Sequence, residues 1–298
     1  MSRLPRRVHV YIVNAFVRDG IGGNPAGVVL DADDLDAQDR QAVAQQVGLS
    51  ETAFVSRSDV ADIRLEFFTP TRQIAHCGHA TVATFSLLHQ LSRLPSGAFK
   101  KETVDGLRDV VLEGDMAFMR QLPPVGTDLP LAEGPTLLDV AQSLSLAATV
   151  LSGASDPACI MSTGNRFLLV HVPRARDLVL VRPAHGLIAD ISERLDLIGL
   201  YVYALQPGEQ AVATTRMFAP RFGIQEEAAT GMAAGPLACR LWQRGHVKAQ
   251  AIEIEQGVFM KPASGSRLLV RLEVDETGVR SVVVGGSAVR MGTREVEI

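Results

Sequence analysis

The sequence predicts an α/β chain built as two similar halves around a central cleft. Three observations carry this prediction. Short apolar strands alternate with helices, two unusually apolar helices each follow a strand ending in Phe-x-Pro, and a proline- and glycine-rich cluster lies between them. At 298 residues the chain is long enough for two domains of ordinary size. The halves are expected over residues 1–126 and 127–289, with 290–298 forming a strand that packs on the first half.

In chain order, Val8–Phe16 reads as a strand. The Gly-rich loop Gly20, Gly22, Gly23, Asn24 and Pro25 then connects it to a second strand, Ala26–Leu30, as in a hairpin. A dinucleotide fingerprint needs G-x-G-x-x-G opening a helix; Pro25 and the following strand rule that out. Asp36 is placed to cap a helix running to about Val47, with Gly48 as its stop. Glu51 precedes a short strand, Thr52–Val55, and Ile63–Thr69 alternates as another. His79–Leu94 has helical spacing but is apolar on all sides, the pattern of a helix surrounded by protein. Strands resume at Val110–Leu112 and Ala117–Gln121.

Pro123, Pro124, Gly126, Pro130, Gly134 and Pro135 are read as the linker, and Leu137–Ala147 as a short helix. Strands follow near Arg166–Val172, Leu200–Ala204 and Ala211–Phe218. A second apolar helix spans about Thr230–Trp242, and three strands close the chain at Ala251–Gln256, Arg267–Val274 and Val282–Val284. The repeat is visible in the motifs. Phe68-Thr69-Pro70 stands about ten residues before Gly78-His79-Ala80-Thr81, and Phe218-Ala219-Pro220 at nearly the same distance before Ala229-Thr230-Gly231. Two inward-aimed helix N-termini would bind an anion through free N–H groups and the helix dipole.

Composition narrows the function. A net charge of −4 with scattered Lys and Arg argues against a nucleic-acid partner; the only dense basic group is Arg3, Arg6 and Arg7. Cys77, Cys159 and Cys239 are odd in number and far apart, which suits a reducing cytosol. The first apolar stretch is interrupted by His9 and Asn14, unlike a signal peptide, and 140–155 is too short and polar to span a bilayer. The expectation is a soluble cytoplasmic protein without membrane or nucleic-acid partners.

Three places could carry chemistry. Glu51 follows a helix stop and leads an apolar strand. It reads either as a solvated turn residue or as a partly desolvated carboxyl whose pKa is raised toward working pH. His76, Cys77 and His79 invite a zinc reading, but no second Cys/His group supplies further ligands, so no metal is expected. A Cys77–His79 nucleophile pair is disfavoured because residues two apart at a helix start point differently. The plainer alternative has Gly78 serving the turn, His79 capping the helix and Cys77 buried. Glu226 and Glu227 precede Ala228-Ala229-Thr230-Gly231 and read either as dipole-stabilised carboxylates at a helix start or as a second acid–base group across the cleft.

Taken in order, Gly22-Gly23-Asn24-Pro25-Ala26, Ser50-Glu51-Thr52-Ala53-Phe54, and Phe68-Thr69-Pro70 with Gly78-His79-Ala80-Thr81 resemble the phenazine-biosynthesis isomerase (PhzF-like) family. So do Phe218-Ala219-Pro220-Arg221 with Glu226-Glu227 and Ala229-Thr230-Gly231, and the later Ile254-Glu255-Gln256-Gly257. The resemblance runs from about residue 9 to 260 and implies the fold shared with diaminopimelate epimerase and proline racemase. That fold has two pseudo-symmetric domains, each a curved, mostly antiparallel sheet around a central helix. It also implies a homodimer, no cofactor, and a small carboxylate substrate.

In the phenazine enzyme a Glu matching Glu51 shuttles a proton along dihydro-3-hydroxyanthranilate to give the ketone tautomer. A Gly-His pair matching Gly78 and His79 and an Asp matching Glu227 hold the substrate. The resemblance thus implies Glu51, His79 and Glu227 as catalytic, with Asn24, Cys77, Gly78, Thr230, Gly231 and Met232 around the substrate. Glu227 in place of Asp, Ala228 in place of Pro and Met232 in place of Ser depart from the family pattern and argue for a different substrate. Cys77 resembles the first thiol of the two-thiol racemases, but the helix start near Ala229 and Met232 lacks a second. Three readings follow: an isomerase using Glu51, an epimerase or racemase using Cys77, and a non-catalytic small-acid-binding protein.

Overall fold

The structure, a computed structural model, describes residues 6–129 and 134–298. Pro130 of the predicted linker and Arg3 of the basic N-terminal group lie outside the described residues. The chain divides into two compact units, one of Met1–Arg120 with Gly285–Ile298, the other of Gln121–Val284.

In the first unit β1 (Arg7–Ala15) and β2 (Asn24–Val29) form the predicted hairpin, with Tyr11 opposite Val28 and Ala15 opposite Asn24. Its turn depends on Gly23, whose φ of +84° suits glycine and where a Cβ would lie 2.6 Å from the Ala15 carbonyl oxygen. Helix α1 (Ala37–Val47) starts and stops where local chemistry dictates. Asp36 Oδ1 accepts from the Gln38 and Asp39 N–H groups, both at 2.9 Å, and Gly48 closes the helix at φ +67°. Val43, Ala44 and Val47 pack with Val10, Leu35 and Phe54. Each fully buried Val or Phe side chain contributes roughly 1.5–3 kcal/mol.

After β3 (Thr52–Ser56), β4 (Ile63–Phe68) and the two-residue β5 (Gln73–Ile74) comes α2 (Gly78–Gln90), buried at every position from Gly78 to Leu88. It packs on β1, β2 and β3. The helix ends at Gln90 rather than the expected Leu94. Ser92 takes φ +57°, and the Arg93 and Leu94 N–H groups turn back to the Leu88 carbonyl. Then β6 (Gly97–Thr103), β7 (Gly106–Glu113) and β8 (Met116–Gln121) run antiparallel in turn.

The second unit opens on β9 (Val125–Asp128), inside the segment expected to be linker; it pairs antiparallel with β10 (Cys159–Ser162), which satisfies its backbone groups. The helix expected over Leu137–Ala147 is shorter, α3 (Leu137–Ser143), because Ser145 at φ +55° breaks the run, and a separate helix, α4 (Ala148–Ser152), follows beyond the expected end. Next come β11 (Arg166–His171), α5 (Ala175–Leu180), α6 (His185–Leu195), β12 (Gly199–Leu205), β13 (Ala213–Ala219) and β14 (Ile224–Glu227). Helix α7 (Gly231–Gln243) is buried along nearly its whole length and packs on β10, β11 and the later strand β16 (Ser266–Asp275). β15 (Ala251–Gln256) precedes β16, and β17 (Gly278–Glu297) ends the chain, its last ten residues paired antiparallel to β1.

The two units repeat one strand succession. In the first, β2 and β3 run parallel across α1, β3 and β4 antiparallel, and β4 and β6 parallel across α2. In the second, β11 and β12 run parallel across α5 and α6, β12 and β13 antiparallel, and β13 and β15 parallel across α7. The apolar helices therefore occupy equivalent crossovers. Buried along nearly its whole length, each has little polar face to keep, which is why α2 lacks amphipathic patterning. Among the described residues no helix is long and apolar enough to cross a membrane.

Candidate active site

Glu51 sits directly before β3, and its carbonyl accepts from the Gly27 N–H of β2 at 3.0 Å. Cys77 is the N-cap of α2, with extended backbone at φ −141° and ψ 121°, and Gly78 and His79 are the first two helical residues. Glu51, Cys77 and His79 are buried, at 6%, 7% and 4% exposure, and their ligand atoms lie within 4.8 Å of one another. His79 Nε2 lies 3.2 Å from Glu51 Oε2, and Cys77 Sγ lies 3.5 Å from His79 Nδ1. The expectation that Cys77 and His79 diverge is thus overturned. Cys77 is not yet helical, and its extended backbone lets the thiol turn toward the ring.

The thiol and the carboxylate contact different nitrogens of one ring, and the three groups lie close enough together to offer three ligand atoms to a metal ion, with no fourth among the described residues. The ring angle at Glu51 is poor for a hydrogen bond, so the attraction there is chiefly that of charges.

Burial is the largest influence on the Glu51 carboxyl and works to raise it, but the charge and hydrogen bonding of His79 together with a hydrogen bond from Ser50 outweigh it, and the net shift is downward. Burial likewise opposes the His79 imidazolium, yet Cys77 first and then Glu51 act to raise the ring well above its ordinary value. Cys77 moves the other way: burial pushes its thiol up, so it rests neutral. With the thiol kept neutral by burial, the Glu51 carboxylate is the charge left to favour the imidazolium, so the site favours a buried carboxylate–imidazolium pair beside the thiol. Such a pair can accept a proton and later return it.

Asn24 begins β2 and is buried. The parallel register, Gly27 opposite Thr52, puts it at the same strand end as Glu51. Beneath the start of α2 lies a residue that sequence reasoning missed. Lys101 of β6 is fully buried; its Nζ donates to Thr81 Oγ1 at 2.5 Å, and Thr81 in turn donates to the Cys77 carbonyl at 2.7 Å. The ammonium lies 5.0 Å from the Phe67 ring centroid. Burial pushes Lys101 down to about 7, and burial followed by the Lys101 charge pushes His76 down to about 3. In sequence, Lys100-Lys101-Glu102 looks like a solvated charged strand, so nothing there signals this role.

Glu227, Thr230, Gly231 and Met232 belong to the second unit. Glu227 ends β14, Thr230 is the N-cap of α7, and the Thr230 hydroxyl donates to Glu227 Oε2. Gln121 Nε2 donates to the Gly231 carbonyl at 2.9 Å and lies 3.6 Å from Met232 Sδ. Both Glu226 and Glu227 lie in β14; Glu227 stays at the start of α7 through its contact with the N-cap Thr230, but Glu226 does not. Glu226 instead forms a two-pronged ion pair with Arg216, at 2.8 Å through both Nε and Nη2.

A profile of the phenazine biosynthesis-like proteins (PhzC-PhzF) matches residues 13–294. The chain belongs to this family. It is 31% identical over 290 residues to the trans-2,3-dihydro-3-hydroxyanthranilate isomerase of Pseudomonas chlororaphis, covering 91% of this chain and 96% of that one. It is also 32% identical to the uncharacterized isomerase YddE of Escherichia coli K12, over 78% of each chain. In structure it is similar to the PhzF-family phenazine biosynthesis protein of Bacillus anthracis. The TM-score is 0.89 at 27% identity, covering 98% of this chain and all of that one. The family is one of isomerases, and the mixed, sheet-dominated architecture is the family's fold.

Proposed function

We propose that this member of the family catalyses proton-transfer isomerisation of a small carboxylate without a cofactor, with Glu51 as the general acid/base. The observation that carries the reading is the buried Glu51 carboxylate held ionised 3.2 Å from His79. An ionised, desolvated carboxylate is a ready base. It takes a proton from one substrate carbon, the electron pair shifts along the conjugated system, and the resulting acid returns the proton to another carbon. Protonation of Glu51 leaves the His79 imidazolium without its counter-charge just as negative charge develops on the substrate, which favours the transition state over the resting complex. Glu227 and the residues at the start of α7 belong to the proposal as groups that orient the substrate. The relative from Pseudomonas chlororaphis motivates trans-2,3-dihydro-3-hydroxyanthranilate as the first candidate. Glu227, Ala228 and Met232 motivate testing others.

The test is proton NMR in D₂O with that compound and a panel of amino and hydroxy acids, run beside Glu51→Gln. Deuterium entering a carbon position with wild type alone supports the proposal. Full exchange by Glu51→Gln overturns the assignment of Glu51. Cys77, 3.5 Å from His79 Nδ1, supports a second reading as an epimerase, opposed by its neutral thiol.

A further inference from the structure

The Ile254-Glu255-Gln256-Gly257 run has no role in the chemistry above, yet Gln256 ties β15 to β12, to the end of β14 and to the start of α7. It ends β15 and is fully buried. Its Oε1 accepts from the Thr230 backbone N–H and from the Tyr201 hydroxyl, both at 3.0 Å. Its Nε2 donates to the Glu227 carbonyl at 2.7 Å and to Thr230 Oγ1 at 3.1 Å. All four hydrogen-bonding capacities of the amide are used. Thr215 Oγ1, 3.0 Å from the Tyr201 hydroxyl, extends the network to β13.

The amide can face only one way. A backbone N–H only donates and a backbone carbonyl only accepts, so Thr230 N–H requires Oε1 on its side and the Glu227 carbonyl requires Nε2 on the other. That orientation sets the next link. Thr230 Oγ1 accepts from Nε2, so its single proton points to Glu227 Oε2, the contact the structure shows. The Glu227 oxygen at that contact must be an acceptor, so the network favours an ionised carboxylate and holds it against Thr230. Backbone geometry keeps Gln256 in place. Gly257 has φ +81°, and a Cβ there would strike the Ser264 and Ala228 carbonyl oxygens.

We propose that Gln256 is a positioning residue which, through the Thr230 hydroxyl, fixes the orientation and the proton-accepting state of the Glu227 carboxylate. Its consequence for turnover rests on the reading of Glu227 as a residue that orients the substrate.

The experiment is a ¹³C titration of the Glu227 carboxyl, assigned against Glu227→Gln, in wild type, Gln256→Glu, Thr230→Val and Thr230→Ser. The pH dependence of kcat/KM on trans-2,3-dihydro-3-hydroxyanthranilate is measured for the same proteins. Gln256→Glu keeps the size but replaces the donor by an acceptor, which draws the Thr230 proton away from Glu227. Thr230→Val keeps the volume and deletes the hydroxyl. Both should move the Glu227 midpoint upward, and Thr230→Ser should restore it. Misplacing a catalytic group by ~1 Å can lower the rate by about 100-fold, which sets the scale of the kcat/KM loss expected with the two shifting variants. If Gln256→Glu does not fold, Thr230→Val decides. An unmoved Glu227 midpoint in the folded variants overturns the proposal, whatever happens to turnover. A shifted midpoint with unchanged turnover upholds the positioning and removes Glu227 from the proposed function.

Discussion

Glu51 and His79, carried by different elements, meet carboxylate to imidazole at 3.2 Å, with both side chains buried. Each holds the other charged against the burial that opposes it. Replacing His79 by Gln therefore leaves the desolvation of Glu51 opposed by Ser50 alone, and its pKa should rise. The acid limb of the kcat/KM profile should move to higher pH in His79→Gln. An acid limb that stays in place would assign it to another group.

Cys77 tests which atom does the chemistry. Because burial holds the thiol neutral, it should react slowly with iodoacetamide at neutral pH. Cys77→Ala should reduce isotope exchange far less than Glu51→Gln does. A loss as deep as that of Glu51→Gln would move the reaction to the thiol and favour an epimerase.

Lys101 makes stability depend on pH in an unusual window. Its folded value of about 7 lies below the ordinary 10.5, so between these the unfolded chain binds a proton that the folded chain does not. Stability should then rise with pH across that range, with a slope of up to about 1.4 kcal/mol per pH unit from this group. Urea denaturation at stepped pH should show the rise in wild type and its absence in Lys101→Met. Equal slopes in the two proteins would mean that Lys101 is charged in the fold.

Asp156 should dominate acid unfolding of the second unit. It is 2% exposed and takes Arg244 Nε at 2.9 Å, His246 Nε2 at 2.7 Å and the Tyr203 hydroxyl at 3.1 Å. Burial works to raise its carboxyl, but Arg244, then His246 and Tyr203, bring it below the usual range. The stability it contributes is present above the ordinary carboxylate value and is lost as pH falls through the lowered one. Asp156→Asn should cost on the order of 3 kcal/mol at neutral pH and flatten the acid dependence, read by thermal melts at stepped pH.

Where local chemistry decides, the sequence was legible. Asp36 and Gly48 bracket α1 at the expected residues because a cap and a left-handed stop are short-range devices. The Gly-rich hairpin and the two largely apolar helices were also readable, and Glu51 in one motif and Cys77 and His79 in another stood out as candidates. β6 was not legible, since its one decisive residue is a lysine, nor was β9 among prolines. Helix α6 did carry a signal, with Ile188, Ile191 and Leu195 on one buried face.

What the sequence by itself determined is the list of elements closed by local caps and turns, the family, and the residue types available for proton transfer. The tertiary structure decided their states. Glu51 read either as a solvated turn residue or as a buried carboxyl raised by desolvation; it is buried, yet its net shift is downward, because His79, from another element, and Ser50 act against the burial. Gln256 is one amide among many until Thr230, Tyr201 and Glu227 gather around it. The reason is physical. Capping and turn formation act over a few residues, whereas desolvation, charge pairing and hydrogen-bond direction depend on groups that only folding brings within a few ångströms.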